Sequence, residues 1–148
     1  MNRVVITGVG AVTPIGTGRE ELWQNVKAGV CGIDRITRFD PSEFACQIAA
    51  EVKDFDPTKY MDKRDAKRMD LFVQYAVAGG RLAVEDAKLD MEKEDPERVG
   101  CFMGSGIGGI ATLCEQHTRL LEKGPGKVSP FMIPMMISNM AVGQMAIT

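Results

Sequence analysis

The feature that most constrains the fold is the run Gly104-Ser-Gly-Ile-Gly-Gly109, which places four glycines within six residues. An apolar, strand-like run at residues 98–103 precedes it, and a helical pattern follows it. Because glycine has no side chain, this density of glycine lets the backbone pass very close to another group. That group is a phosphate, a neighbouring strand or a substrate, and the functional interpretation depends on which.

Strand-like and helical patterns alternate along the chain. Buried strands are predicted at residues 3–8 and 98–103, with a weaker one at 46–52. Helices are predicted at residues 20–28, where Thr17 and Glu20 have the spacing of a capping box and Gly29 stops the helix, and at 65–89, 108–123 and 133–148. The adjacent Gly79 and Gly80 predict a tight crossing inside the longest helix. This alternation predicts an α/β layered fold with a mainly parallel sheet.

Composition excludes several classes of protein. The chain has 148 residues and a net charge of −2, so no overall basic character points to nucleic acid. It opens on a strand-like run and contains no long apolar segment, so we expect no signal peptide and no membrane span. The four cysteines form no Cys-x-x-Cys pair, and scattered cysteines are typical of a reducing cytoplasm.

The only histidine, His117, does not complete a metal site with these cysteines, so we expect no metal. His117 and Cys114 are three residues apart on one predicted helix and within reach of each other. An activated thiolate also needs an orienting group and an oxyanion hole, and neither is identifiable. We therefore expect a core cysteine beside a surface histidine, and no cofactor.

The glycine run also satisfies G-x-G-x-x-G, the pattern of a dinucleotide-binding turn. Such a turn needs an acidic residue about 20 positions further on, at the end of the next strand. Glu122 has roughly that offset, but it lies in a predicted helix end. A nucleotide-binding α/β domain therefore stays open as an alternative to a turn packed tightly against a neighbouring element.

A basic cluster lies near the start of the longest predicted helix. Its members, spaced i, i+1, i+4 and i+5 on one helix face, are Lys63, Arg64, Lys67 and Arg68. The cluster is either a solvated face or a docking patch for an acidic partner. A second cluster contains five of the ten methionines, between Met132 and Met145. It predicts a core helix, with a subunit interface or a pocket for a flexible alkyl chain as the alternative.

Taken together, five blocks resemble the β-ketoacyl-[acyl-carrier-protein] synthases, specifically the chain-elongating type II enzymes of bacterial fatty acid synthesis. The blocks span the chain in the expected order: Arg3-Val-Val-Ile-Thr-Gly-Val-Gly-Ala-Val-Thr-Pro-Ile-Gly16, Arg68-Met-Asp-Leu-Phe-Val-Gln-Tyr75, the glycine run, Lys127-Val-Ser-Pro-Phe-Met-Ile-Pro134 and Asn139-Met140. The resemblance implies a thiolase-like fold layered α-β-α-β-α and a cytoplasmic homodimer. It also implies acyltransferase activity, with acyl- and malonyl-loaded acyl carrier protein as partners.

The resemblance also implies roles for particular residues. Ile107 matches a gate in the acyl-chain pocket, and Met132 and Ile133 match residues that reach the acyl pocket of the partner subunit. The carrier-protein docking positions of the family match Arg64, Lys67 and Arg68. In that family a cysteine takes the acyl chain as a thioester, and malonyl-carrier protein loses carbon dioxide to give the attacking carbanion.

The sequence departs from the family at the catalytic residues. The nucleophilic cysteine of the family stands in a Thr-Ala-Cys-x-Ser-Gly-like turn that would follow position 148, and its two histidines and a lysine lie further on. No cysteine of this chain has that context, so we expect no catalytic residue within residues 1–148. We expect an incomplete N-terminal portion of a ketosynthase domain, truncated before its nucleophile and inactive alone. A polyketide-type ketosynthase, or its non-catalytic partner subunit, is the alternative within the family, and the 127–134 block disfavours it.

Overall fold

The computed structural model describes residues 3–148. Within that range it contains two short antiparallel sheets, six α-helices and three 3-10 turns. The strands are β1 Val12–Thr13, β2 Gly16–Thr17, β3 Ile33–Arg35 and β4 Ile48–Ala50. The helices are α1 Arg19–Lys27, α2 Lys63–Ala66, α3 Leu71–Ala87, α4 Ile110–Lys123, α5 Met132–Met136 and α6 Met140–Ile147, and the 3-10 turns are Pro57–Lys59, Pro96–Arg98 and Pro125–Lys127. The chain is therefore mixed α/β.

Helix α3 forms the centre of the packing. Val73 and Val77 on this helix are almost fully buried, at 1% and 0% exposure. They form a core with Met61, Ala66 and Met69. A side chain at Gly80 would meet Met145 Sδ of α6 at 2.5 Å, and one at Gly10 would collide with the Gly79 carbonyl. The tight crossing predicted at Gly79 and Gly80 is confirmed.

The predicted strand at residues 3–8 is wrong for this chain. The segment has no strand partner among the described residues, and Val4 and Ile6 expose 91% and 87% of their surface. Gly8 instead lies against the α3 backbone at Ala83, and the Val9 N–H donates to Asp86 Oδ2 at 3.0 Å. A β-branched run becomes a strand only where a neighbouring strand can satisfy its backbone.

The predicted strand at 98–103 is also absent. Its first residue closes the 3-10 turn Pro96–Arg98, the residues after it are irregular, and Phe102 is 94% exposed. Both sheets in residues 3–148 are antiparallel, with Val12 opposite Thr17 and Ile33 opposite Ala50. The prediction of a mainly parallel sheet is therefore wrong for these residues, because the two runs expected to form it have no strand to pair with. The weaker strand predicted at 46–52 is confirmed as β4.

The predicted helix 65–89 is interrupted at its start. Asp70 begins α3 as its N-cap, where its side chain accepts from the Phe72 N–H at 3.3 Å. The Gln74 amide donates to the carbonyls of Ala66 at 2.9 Å and Met69 at 3.0 Å. Since these side chains satisfy the backbone groups that a continuous helix would pair, the chain turns between α2 and α3.

The structure also corrects two smaller predictions about helix boundaries. Helix α1 begins after Gly18 rather than at a Thr17 cap, and Glu21, not Glu20, reaches back to accept from the Thr17 N–H at 2.8 Å. The predicted helix 133–148 divides into α5 and α6 at residues 137–139. The predicted stop at Gly29, which has a φ of 67°, is confirmed.

The accessible surface is large for the mass of the chain. It amounts to 10882 Å², whereas a compact monomer of 16.1 kDa exposes about 7400 Å². The excess includes the apolar residues of the two unpaired runs, around Ile6 and Phe102. Among the described helices, none is both long and apolar enough to cross a bilayer.

Candidate functional site

The carboxylate of Asp70 joins two helices at the centre of the candidate site. Besides capping α3, it accepts through Oδ2 from the Thr112 N–H at 3.1 Å and the Thr112 hydroxyl at 2.6 Å. Thr112 is the third residue of α4, whose own N-cap, Gly109, has no side chain to offer. Asp70 is 8% exposed and Thr112 5%. One buried carboxylate therefore caps both α3 and α4.

This arrangement argues against nucleotide binding at the glycine run. A phosphate there would need free N–H groups and a helix N-terminus without a competing anion. The Gly108 N–H instead donates to Ser105 Oγ at 2.9 Å, and the Gly109 N–H donates to the Met136 carbonyl at 2.8 Å. The Asp70 carboxylate already occupies the α4 N-terminus and would repel a phosphate.

The glycine run is a tight backbone contact, as the alternative interpretation predicted. Gly108 has a φ of 80°, a conformation that side chains rarely adopt. A side chain at Gly109 would lie 2.5 Å from the Met135 carbonyl and 3.0 Å from Asp70 Oδ2. The run therefore packs against α5, and it carries Ile107, which is 72% exposed, just before the contact.

The other two residues assigned to an acyl pocket lie on α5. Met132 is half-buried, and Ile133 is 55% exposed. The loop before α5 is fixed because the buried Gln116 side chain of α4 accepts from the Ser129 N–H at 2.7 Å. At the other end of α5, the Gly109–Met136 hydrogen bond joins this helix to the glycine run.

Two cavities of about 440 and 490 Å³ flank residues 103–105. The larger one is lined by the glycine run and by Ser138, Asn139 and Val142 of the α5–α6 region. Ile107, Met132 and Ile133 are absent from the lining of both cavities. These two cavities therefore do not bring the three residues together, and their role in an acyl pocket stays a prediction.

The basic cluster is exposed and free of ion pairs among the described residues. Lys63 and Arg64 lie on α2, and Lys67 and Arg68 lie on the turn after it, so the cluster is not on the long helix where it was predicted. Asp62 caps α2 by accepting from the Arg64 N–H at 2.7 Å. A groove of about 350 Å³ runs between Asp62 and three of the cations, Lys63, Arg64 and Lys67.

Arg68 connects the basic cluster to α5. Its guanidinium carbon lies 5.2 Å from the centre of the Phe131 ring, within the range of a cation–π contact. Phe131 is the N-cap residue of α5 and directly precedes Met132. Sequence spacing gave no sign of this contact, since the two residues are 63 positions apart.

The cysteines form no disulfide, and all four thiols are free. Cys114 was expected in the core but is exposed, as is His117. Helix α4 buries a polar face instead, with Thr112 and Gln116 directed at Asp70 and the α5 loop. Among the described residues, no hydrogen bond joins Cys114 to His117.

Three groups with shifted pKa values belong to the β3–β4 hairpin. A hydrogen bond from the Thr37 hydroxyl, at 2.6 Å, holds the pKa of Glu51 below its ordinary value. The hydrogen bond from Lys53 to Asp34 at 3.0 Å lowers the pKa of Asp34 and raises that of Lys53. These groups close the hairpin and are separate from the contact between the glycine run and α5.

Comparison with known proteins gives the class to which this architecture belongs. A family model described as the N-terminal domain of beta-ketoacyl synthase matches residues 1–148. The chain belongs to the beta-ketoacyl synthase family. It is 51% identical over 145 residues to the 3-oxoacyl-[acyl-carrier-protein] synthase 2 of Synechocystis sp., and 48% identical to the enzyme of that name from Staphylococcus aureus. The alignments cover 98% of this chain and 35% of each relative, so the chain spans about a third of their length.

Solved structures agree on the fold. The chain resembles the ishigamide ketosynthase/chain length factor with a TM-score of 0.82 and 30% identity, over 96% of this chain and 36% of that one. It resembles a beta-ketoacyl synthase from Burkholderia phymatum with a TM-score of 0.79 and 26% identity, over 99% and 36% of the two chains. A third match, with a TM-score of 0.79 and 25% identity, covers 97% of this chain and 37% of a type II polyketide ketosynthase complexed with its acyl-carrier protein. The predicted α/β, thiolase-like fold class is confirmed.

Proposed function

We propose that this chain is the N-terminal part of a β-ketoacyl-[acyl-carrier-protein] synthase that elongates acyl chains in fatty acid biosynthesis. In that reaction a cysteine thiolate attacks the acyl thioester, and the carrier thiol leaves. Malonyl-carrier protein then loses carbon dioxide, and its carbanion attacks the new thioester and releases the cysteine. The nucleophile is assigned to the part of the protein beyond residue 148, and residues 1–148 supply docking and pocket surfaces.

The observation that carries this proposal is the exposed basic cluster beside α5. Lys63, Arg64 and Lys67 line one groove without ion-pair partners in residues 3–148, and Arg68 lies against the start of α5. Cations arranged in this way favour association with an acidic protein, and acyl carrier protein is the acidic partner we propose. A structure similar to this chain is a ketosynthase in complex with its acyl-carrier protein, which supports that choice.

The exposed apolar runs support a larger assembly around this chain. Residues 3–7 and 99–107 are extended or irregular, and Val4, Phe102 and Ile107 are largely uncovered. We assign these runs to the sheets of the layered α-β-α-β-α domain, which the remaining two thirds of the protein would complete. The same assignment brings Ile107 to the acyl pocket, and Met132 and Ile133 to the pocket of a homodimer partner. We expect a cytoplasmic enzyme.

A polyketide-type ketosynthase, or its non-catalytic partner subunit, remains the second candidate. It is favoured by the similarity to the ishigamide ketosynthase/chain length factor. The higher identity, 51%, is with a 3-oxoacyl-[acyl-carrier-protein] synthase 2, which favours fatty acid elongation. Product analysis separates the two: a single two-carbon extension supports fatty acid synthesis, whereas a poly-β-ketone supports the polyketide role.

Charge reversal tests the docking surface. In the full-length protein, Arg64→Glu with Lys67→Glu removes two favourable charges and adds two unfavourable ones. At about 0.5 kcal/mol for each exposed charge pair, two lost attractions and two added repulsions amount to about 2 kcal/mol, so we expect carrier-protein affinity to fall roughly thirtyfold at low salt. The loss should shrink as salt rises, because the Debye length falls to about 8 Å at physiological ionic strength.

The matched control is Lys88→Glu. Lys88 is an exposed lysine at the C-terminal end of α3, a helix of 17 residues, which places it about 25 Å along the axis from the turn that bears Arg68. Binding of acyl carrier protein, followed by fluorescence anisotropy, should be unchanged by this substitution. Equal losses of affinity for both variants, or no loss for the double reversal, would show that the basic cluster is not the docking surface for acyl carrier protein.

A further inference from the structure

We propose that Phe131 is a positioning residue for carrier recognition: its ring holds the Arg68 guanidinium in place and ties the docking surface to α5. This inference rests on the proposed function, because it assigns the support of one docking cation. Among the described residues, the other cation–π contact joins Lys27 to Trp23, and Arg68 is the single member of the basic cluster with an aromatic partner.

The contact leaves Arg68 able to bind an acidic partner. A guanidinium carbon 5.2 Å from the ring centre places the charge over the Phe131 face. The five N–H donors of a guanidinium lie in its plane, so an aromatic face and a carboxylate can be engaged at once. The ring restricts a long side chain that would otherwise lose rotamer freedom on binding. Phe131 therefore prepares Arg68 for a carboxylate instead of competing with one.

Both ends of the contact are fixed to the scaffold. On one side, the turn that bears Arg68 is held by the Gln74 hydrogen bonds to Ala66 and Met69. On the other side, the Phe131 N–H donates to Ser129 Oγ at 3.2 Å, and the Phe131 carbonyl accepts from the Met135 N–H at 3.0 Å. The cation–π pair is thus a direct bridge between the turn that bears Arg68 and the helix that carries Met132 and Ile133.

The test uses full-length protein and a thermodynamic cycle. Phe131→Leu keeps an apolar side chain but removes the ring, and an exposed cation–π contact corresponds to about a two- to fivefold change in affinity. We expect the Kd for acyl carrier protein, and KM for the carrier-borne substrate, to rise by that factor with kcat unchanged. Phe131→Trp should restore wild-type values. The same acyl group on a small-molecule thiol should show no change in KM.

Two comparisons make the result decisive. In an Arg68→Ala background, Phe131→Leu should have no further effect on affinity, whereas in an Arg64→Ala background its effect should persist in full. Phe39→Leu is the control, because Phe39 is an exposed ring, 53% accessible, that meets Phe44 edge-to-face and lies against no cation among the described residues. It should leave carrier affinity unchanged.

The outcomes separate this inference from the proposed function. If wild-type protein does not bind acyl carrier protein, the proposed function fails, and the inference fails with it. If wild-type protein binds and the Arg64 and Lys67 reversals weaken binding, the docking surface stands. In that case, equal effects of Phe131→Leu with and without Arg68 would overturn the role of Phe131, as would a loss in kcat that Phe131→Trp does not restore.

Discussion

Replacing Asp70 with alanine should destabilise the first turn of α4. The substitution removes the α3 cap, a loss of about 1 kcal/mol. It also leaves the buried N–H and hydroxyl of Thr112 without their charged acceptor, which adds about 2 kcal/mol. The combined loss of stability is about 3 kcal/mol, and it weakens the contact between α3, α4 and the glycine run.

Hydrogen exchange measures this cost locally. If opening of the first α4 turn becomes about 3 kcal/mol easier, the Thr112 amide in Asp70→Ala should exchange roughly a hundredfold faster than in the wild type. Thr112→Ser keeps both hydrogen bonds and serves as the matched control, with exchange close to wild type. Thr112→Val keeps the N–H bond alone and should fall between the two. An unchanged Thr112 rate in Asp70→Ala would refute the assignment of one carboxylate to two helices.

Two further predictions follow from local geometry. The hairpin stabilises the ionised form of Glu51. The contribution of Glu51 to the free energy of unfolding is therefore present above its ordinary pKa of 4.5, and it is lost as the pH falls through the lower pKa of the folded state. Carboxyl NMR should find the pKa of Glu51 below 4.5 and rising in Thr37→Val; an unshifted pKa in the wild type would contradict this. Gly109→Ala should destabilise the fold by about 2 kcal/mol or more, since its methyl group meets the Met135 carbonyl; a neutral effect on thermal unfolding would refute the tight contact.

Local sequence signals predicted the parts of the fold that local interactions determine. The stop at Gly29 follows from its positive φ, and the close crossing with α6 follows from the absence of a side chain at Gly80, whereas a side chain at Gly79 would meet open space. The start of α3 was missed although its signal is present: Asp70 precedes an apolar run, and aspartate is a preferred N-cap. Helical periodicity across residues 65–89 outweighed that single residue in the prediction.

Long-range interactions could not be predicted from spacing. The strand-like runs at 3–8 and 98–103 have strong β propensity, but a strand also needs a pairing partner, and none lies within the described residues. The hydrogen bond between Asp70 and Thr112 spans 42 positions, and the cation–π contact of Arg68 with Phe131 spans 63. The basic cluster itself was visible in the sequence, whereas its connection to α5 depends on the tertiary fold.

We propose that this chain supplies the docking and pocket surfaces of a condensing enzyme whose nucleophile lies outside residues 1–148. The most direct measurement is release of carbon dioxide and formation of β-ketoacyl-carrier protein from acyl primer and malonyl-carrier protein. The full-length protein should form one β-ketoacyl product per carbon dioxide released. Residues 1–148 alone should form none, and Cys31→Ser, Cys46→Ser, Cys101→Ser and Cys114→Ser in the full-length protein should each leave the chemistry intact. Turnover by residues 1–148, or loss of condensation when any one of these four thiols is replaced, would refute the proposed role of this chain.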